Sequence, residues 1–313
     1  MSAVIERYGT ALAGLALIVF FLFTAPNFAT PANLINVLKD TSFLAILALG
    51  FALAFTIAEL DLSIAEIASL AAVVTGWLVY KQYDPFVAVA AGLLVGAALG
   101  AFNGFGVTVL RVPSLIVTLG TAAIARGLAF AITQGVAFVG RWPTSFTGLA
   151  RGTTFGVPNL VLWLALATIF AYILLKWTRI GAHMIATGEA DEAARLAGVA
   201  TARMKRIGLL LSGLFAGVAA VLLAANLSSA APNMAGDYFL YAIAAVLLGM
   251  TMFEPGRPNV GGTVFAALVL KVLGNGLVLL GAAYYVQDMV LGVIIIGSVA
   301  FSAGFVKKAA FKI

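Results

Sequence analysis

An all-α bundle crossing a membrane many times is the fold class this sequence predicts, and three observations predict it. The 313 residues are 63% hydrophobic and only 10% charged, with a mean hydropathy of +1.11. Soluble domains carry about 25% charge, so this chain has too little polar surface to face water all round. Apolar runs long enough to cross a bilayer, about 20 residues each, recur along the whole length. The basic residues collect in alternate loops, as the orientation of membrane helices requires.

The runs predict ten spans, at about 9–25, 42–58, 62–80, 86–110, 114–133, 158–176, 207–225, 238–252, 259–281 and 284–305. The first follows Arg7 and is read as an uncleaved span rather than a signal peptide, because no A-x-A cleavage site follows it. With the N-terminus inside, twelve of the 18 basic residues fall inside: Arg7, Arg111, Lys176, Arg179, Arg195, Arg203, Lys205, Arg206, Arg257, Lys307, Lys308 and Lys312. Lys39, Lys81, Arg141 and Arg151 fall outside, and Arg126 and Lys271 lie within spans. This bias supports an even span count with both termini cytoplasmic. It also accounts for the formal net charge of +6 without nucleic acid as a partner.

The second and third spans are separated by Glu59-Leu60-Asp61 alone, too short for an ordinary loop. Ser63 and Glu66 match a capping box opening the third span. A helix break at membrane depth is tolerated only against protein or a water-filled cavity. Asp61 is either a helix cap or part of a path or gate. Glu59 and Glu66 are either solvated by the break or placed to repel anions. Gly92, Gly96 and Gly100 form a small-residue ridge that Gly213 and Gly217 repeat once, read as close helix packing within the subunit. Arg126 and Lys271 are expected to snorkel or to pair within the bundle. Asn103, Thr118 and Asn275 either hydrogen-bond between helices or line a polar path.

Two segments stand apart from the spans. Residues 134–157 form a long external loop with Arg141 and Trp142; long loops in compact proteins are commonly functional. Trp142 and Trp163 fit an aromatic belt. Asn226, Ser228, Ser229 and Asp237 fall in another external segment, open to a soluble protein. Residues 178–206 form an internal loop holding a short charged helix over 189–197. There Glu192 and Arg195, and Asp191 and Arg195, share a face, and Gly198 is a C′ stop. Ala193, Ala194 and Leu196 supply small apolar surface. By itself this segment is either a docking element for a soluble partner or a solvated interfacial helix.

Catalysis finds no support in the composition. The chain has no cysteine and one histidine, His183, so few nucleophile–base pairs remain and a His- or Cys-based metal site is excluded. No G-x-x-x-x-G-K-[ST] phosphate loop occurs.

Several segments in order along the chain carry a resemblance. They are Asn27-Phe28-Ala29-Thr30-Pro31-Ala32-Asn33-Leu34, Asp61-Leu62-Ser63, Pro113-Ser114-Leu115-Ile116-Val117-Thr118-Leu119-Gly120-Thr121, Ala125-Arg126-Gly127, Thr178-Arg179-Ile180-Gly181, Ala186 through Val199, and Asn275 through Gly281. Together they resemble the ribose-type sugar permeases of ATP-binding-cassette (ABC) importers, a family related to the branched-chain amino-acid permeases. The resemblance implies one transmembrane permease domain over 1–313 in a bacterial cell membrane, the inner membrane where there are two. It implies no catalysis and no cofactor in this chain, with ATP and Mg used by a partner cytoplasmic ABC ATPase. Further partners are a periplasmic or extracellular sugar-binding protein, a second permease copy or paralogue, and membrane lipid. Glu189, Asp191, Glu192, Ala193, Ala194, Arg195 and Leu196 are then the coupling helix that seats on the ATPase. Asp61, Ser63, Asn103, Thr118 and Asn275 are candidates for the substrate path or gate, and the cargo is a monosaccharide or related polyol. The chain departs from the family at Ala58-Glu59-Leu60, at Glu66 and over Thr251–Pro258, so the cargo need not be ribose. A stand-alone secondary carrier or channel for a small polar solute is the alternative; it predicts gradient-driven transport with Asp61, Glu59 or Glu66 essential.

Overall fold

The computed structural model describes residues 2–306; Lys307, Lys308 and Lys312 of the expected inside set lie outside the described residues. The spans appear in the expected order as α1 (Ser2–Thr24), α2 (Pro31–Thr56), α3 (Ile64–Tyr80), α4 (Pro85–Thr108) and α5 (Ser114–Thr133). After a short α6 (Thr144–Arg151) comes the span α7 (Asn159–Trp177), and then the loop helices α8 (Arg179–Glu189) and α9 (Asp191–Leu196). The last four spans are α10 (Thr201–Leu227), α11 (Tyr238–Gly249), α12 (Val260–Leu279) and α13 (Tyr284–Val306). Among the described residues, six helices are long and apolar enough to cross a membrane: α2, α4, α5, α7, α10 and α12. The four shorter apolar helices, Tyr8–Thr24, Ile64–Tyr80, Tyr238–Gly249 and Tyr285–Ala300, occupy the remaining expected spans. Two short antiparallel pairs, β1 (Phe138–Val139) with β4 (Ser229–Ala230) and β2 (Thr153–Thr154) with β3 (Val157–Pro158), are the sheet structure described.

Of the boundaries that differ from expectation, α10 begins early, at Thr201 within the expected 178–206 loop, and two others have local reasons. The second span begins at Pro31, not near residue 42, because Thr30 caps it: its hydroxyl accepts from the Asn33 N–H, and Pro31 fills the first turn. The third begins at Ile64, because residues 57–63 are spent on the break. Ser63 occupies the N-cap position but makes no capping bond. Its hydroxyl donates to Asp61 instead, a carboxylate being the stronger acceptor. The expected capping box does not form.

α2 and α10 are the spine. Their most apolar stretches are 83% and 72% buried, against 22%, 22% and 17% for α4, α5 and α7. Helices apolar on every side belong in the interior of the bundle. The glycine ridge does what its spacing suggests. A Cβ on Gly96 would lie 2.3 Å from the Gly213 carbonyl oxygen, and one on Gly213 would lie 2.2 Å from that of Gly96. α4 and α10 therefore meet backbone to backbone within one subunit, where dispersion contacts are densest.

Other expectations are corrected or refined. Trp142 is 8% exposed and packs edge-on against Phe146 of α6, 5.5 Å between ring centroids; it belongs to the core and not to an aromatic belt. Trp163, at the start of α7, is 37% exposed, and its indole N–H donates to the Leu149 carbonyl. Lys271 lies between the rings of Tyr238 and Tyr241, 4.6 and 5.3 Å from their centroids, a cation–π arrangement within the bundle.

Candidate functional site

The break between α2 and α3 is built around Asp61. Ile57 ends α2, and Ala58 turns the chain with φ 56. Asp61 is fully buried, and helices from three directions supply its hydrogen bonds. Its Oδ1 accepts from the Ser63 N–H at 3.1 Å and the Ser63 hydroxyl at 2.5 Å. Its Oδ2 accepts from the Ser212 hydroxyl of α10 at 2.7 Å. Asn103 of α4 donates through Nδ2 to the Ser63 hydroxyl at 2.8 Å and more weakly to Asp61 Oδ1 at 3.5 Å. Asn103 Oδ1 is buried without a protein partner. A carboxylate only accepts, and about four sites serve its two oxygens, so Asp61 spends its capacity in tying α3, α4 and α10 to the break.

Thr118 stands beside this knot. Its hydroxyl donates to the Leu60 carbonyl at 3.2 Å and to the Ser114 carbonyl at 2.8 Å. The Leu60 N–H donates in turn to the Ser114 hydroxyl at 3.3 Å. Four of the five expected path or gate residues are thus one neighbourhood. Asn275 is elsewhere. It exchanges two 2.9 Å side-chain hydrogen bonds with Asn33, which sits in the first turn of α2, and Asp61 follows the last; α2 alone puts roughly 39 Å between those ends. Asn275 fastens α12 to α2 and does not join this cluster.

The charged segment is two helices, not one. The chain breaks at Ala190 (φ −157, ψ 84), so Glu189 closes α8 and α9 is left with six residues. Gly198 (φ +86) ends α9 as expected. The Gly198 N–H reaches the Arg195 carbonyl and the Val199 N–H reaches the Ala194 carbonyl, the pairing of a Schellman stop. α8 is pressed onto the end of α2: a Cβ on Gly188 would lie 2.1 Å from the Thr56 carbonyl oxygen. Ala194 faces inward at 7% exposure, and Leu196 is 82% exposed. Ala193 is exposed as well. Glu192 and Arg195 approach to 3.8 Å on the outer surface, both largely solvated, where such a pair stabilises little.

Ion pairs connect the segment to the bundle. Lys205, in the first turns of α10, bridges Glu59 at 2.8 Å and Asp191 at 3.0 Å. Glu189 pairs with Arg257 at 2.8 Å, and Glu254 pairs with Lys176 at the end of α7. The departure at Thr251–Pro258 therefore carries two tethers. Burial opposes ionisation of Asp191, but hydrogen bonds from Thr201 and Lys205 and the charges of Lys205 and Arg195 together outweigh it. Its carboxyl is held below the usual carboxylate range. Sequence reasoning missed Lys205 and Ser212. Lys205 reads as one more inside charge, and a lone serine in an apolar run carries no address.

The break, its buried knot and the tethered loop helices lie together at one end of the bundle. Residues 33–299 match the model of a family described as the permease component of branched-chain amino acid transport systems. The chain belongs to the ribose-type sugar ABC permeases within it. This permease is 37% identical to the ribose import permease protein RbsC of Escherichia coli K12 over 91% of its own length and 90% of that protein's. It is 31% identical to RbsC of Bacillus subtilis 168, covering 94% and 91% of the two chains. It is 34% identical to the L-arabinose transport system permease protein AraH of E. coli K12, covering 95% and 90%. A metal-chelate-type ABC transporter solved in an inward-facing conformation shares the fold: TM-score 0.55 at 14% identity, covering 95% of this permease and 96% of that chain. The permease is a multi-pass membrane protein and a transporter component rather than an enzyme.

Proposed function

We propose that this chain is the membrane subunit of an ATP-driven importer for a neutral monosaccharide or related polyol. A cytoplasmic ABC ATPase, hydrolysing ATP with Mg, works on α9, and an extracytoplasmic binding protein hands over the solute. Two copies, or a copy and a paralogue, form the path within the lipid bilayer. The end carrying α8 and α9 is cytoplasmic in this reading, as are both termini, and the 134–157 loop and residues 226–237 face the binding protein. The relatives named for ribose and L-arabinose support the cargo class.

The observation that carries the mechanism is the Lys205 bridge from Asp191 to Glu59. A displacement of α9 by the ATPase is passed through Lys205 to the α2–α3 break, where Asp61 holds α3, α4 and α10. Glu189, Asp191, Glu192, Ala193, Ala194, Arg195 and Leu196 are the coupling residues. Ala194 faces the bundle, and Leu196, Glu192 and Arg195 face the partner. Coupling of this kind requires that the nucleotide states contact α9 differently. Asp61, Ser63, Asn103 and Thr118 act as the hinge of the gate.

The experiment is co-purification from native membranes into nanodiscs, with ATPase activity followed as sugar-loaded binding protein is added. A co-purifying ATPase stimulated by one loaded receptor supports the importer. A chain that purifies alone and accumulates solute down an ion gradient refutes it and favours a secondary carrier.

A further inference from the structure

α4 and α10 touch along their glycines and then part. Toward the end of the bundle away from α9, the contact runs out at Gly92 and Gly217, where a Cβ on Gly217 would lie 3.0 Å from the Gly92 carbonyl oxygen. Beyond it a cavity of about 300 Å³ opens, walled by Phe86 and Val89 of α4, Val221 and Leu222 of α10, and residues of α6 and α7. α7 meets α10 lower down, where the rings of Phe170 and Phe215 stand 6.1 Å apart, about 10 Å along α7 from Trp163. This ring pair and the glycine contact are the floor. The roof is α6. Its Leu149 carbonyl accepts from the Trp163 indole N–H at 3.1 Å, and Arg151 at its end donates to the Asn226 carbonyl of α10 at 2.7 Å.

The cavity has the wrong chemistry for a sugar. Its walls are apolar apart from the Ser145 hydroxyl and the Trp163 indole, and that indole N–H is already engaged. A polyol needs several placed donors and acceptors. The cavity is also too large to stand empty without forfeiting dispersion contacts along its walls. An apolar cavity of about 150 Å³ already stays free of water and takes up a hydrocarbon. A helix, about 10–12 Å across with its side chains, is too wide to enter. The mouth is continuous with surface that only the bilayer can cover. Phe86 at the rim is 79% exposed, and Leu94 of α4 and Leu166 of α7 are 68% and 56% exposed.

We propose that this cavity holds one acyl chain of a membrane lipid, entering sideways from the leaflet away from α9. The chain fills the wedge that the glycine contact leaves open, and it ties α7 to α4 and α10 where their side chains do not meet. It is a resident part of the fold and not cargo.

The test uses the full-length permease, with any subunits that co-purify, in nanodiscs containing a phosphatidylethanolamine with a photoreactive diazirine in one acyl chain. Labelled residues are mapped by mass spectrometry after irradiation, with Leu166 as the reference for ordinary bilayer contact. Val221 and Leu222 are only 4% and 3% exposed, so they are labelled only if a chain enters the cavity. Labelling there at least as strong as at Leu166 is expected. Labelling of Leu166 without Val221 and Leu222 overturns the proposal. Val89→Phe, which narrows the cavity from α4, should remove the label from Val221 and Leu222 and spare Leu166; Leu149→Phe does the same from α6 if the first variant fails to fold. An unchanged label in a folded variant assigns it to transient opening of the helices and overturns the proposal. Ser145→Cys, in a chain with no other cysteine, tests the competing occupant. It should remain a free thiol under mild oxidation, and a disulfide between two copies would place a second permease at the mouth and overturn the lipid assignment.

Discussion

Lys205 and Glu59 join the start of α10 to the turn after α2 through a 2.8 Å ion pair whose members are 23% and 10% exposed. Because Lys205 also holds Asp191 at 3.0 Å, one ammonium group carries the contact between the surface helix α9 and the buried break. Lys205→Ala should leave Glu59 poorly solvated and unpaired, at a cost of about 1–3 kcal/mol. More tellingly, it should lower sugar-stimulated ATPase activity while the ATPase still binds. Lys205→Arg should restore most of the coupling. Thermal unfolding in detergent and ATPase stimulation, measured side by side, separate the two effects.

Asp61 is expected to be the most sensitive single position in the hinge. Asp61→Ala leaves the Ser63 N–H and the hydroxyls of Ser63 and Ser212 buried without their acceptor, each orphan costing roughly 1–3 kcal/mol. The variant should express poorly or melt early. Ser212→Ala removes one donor to Oδ2 and should cost about 1–3 kcal/mol with the fold retained. A Ser212→Ala protein as stable as the parent, by circular dichroism melting, would count against Asp61 as a structural knot.

The spans were legible in the sequence, because a bilayer demands long apolar runs and this chain has little else. The glycine ridge was legible for a similar reason: Gly92, Gly96 and Gly100 announce a close approach, and Gly213 and Gly217 repeat it. What joins the spans was only partly so. Asp61 and Ser63 stood out at an abrupt break, but Ser212 lies 151 residues from Asp61, and no periodicity connects them. Lys205 was visible only as one more charge of the expected inside set. Asn275 could be read either as a helix-to-helix hydrogen bond or as a path residue, because polarity within a span does not reveal its partner, here Asn33. The single charged helix became α8 and α9 because extended backbone at one residue, Ala190, suffices to divide it.

The α4–α10 contact makes a prediction independent of transport. Gly213→Val should be severely destabilising, on the order of 1–3 kcal/mol or more, because even its Cβ would lie 2.2 Å from the Gly96 carbonyl and the helices must separate. Gly127→Ala, on the open face of α5, should leave the melting temperature unchanged. Equal melting of these two variants would contradict backbone-to-backbone packing.

Docking of α9 should depend on pH in a direction that Asp191 determines. Its carboxyl is held below the usual range by Thr201, Lys205 and Arg195 despite burial, so the folded state favours the ionised form more than the unfolded state does. The stabilisation is complete above the ordinary carboxylate pKa, about 3.9, and is lost as pH falls through the lower folded-state value. At neutral pH α9 should be firmly attached and insensitive to small pH changes. Below about pH 4 the Lys205 link should loosen, and backbone hydrogen exchange in residues 191–199 should rise before the spans respond. Asp191→Asn should show that fast exchange already at pH 7. Leu196→Asp, altering only the 82% exposed side chain, should keep normal exchange and lose ATPase binding instead. If Leu196→Asp binds the ATPase normally, α9 is not the docking surface, however well Lys205 connects it to the break.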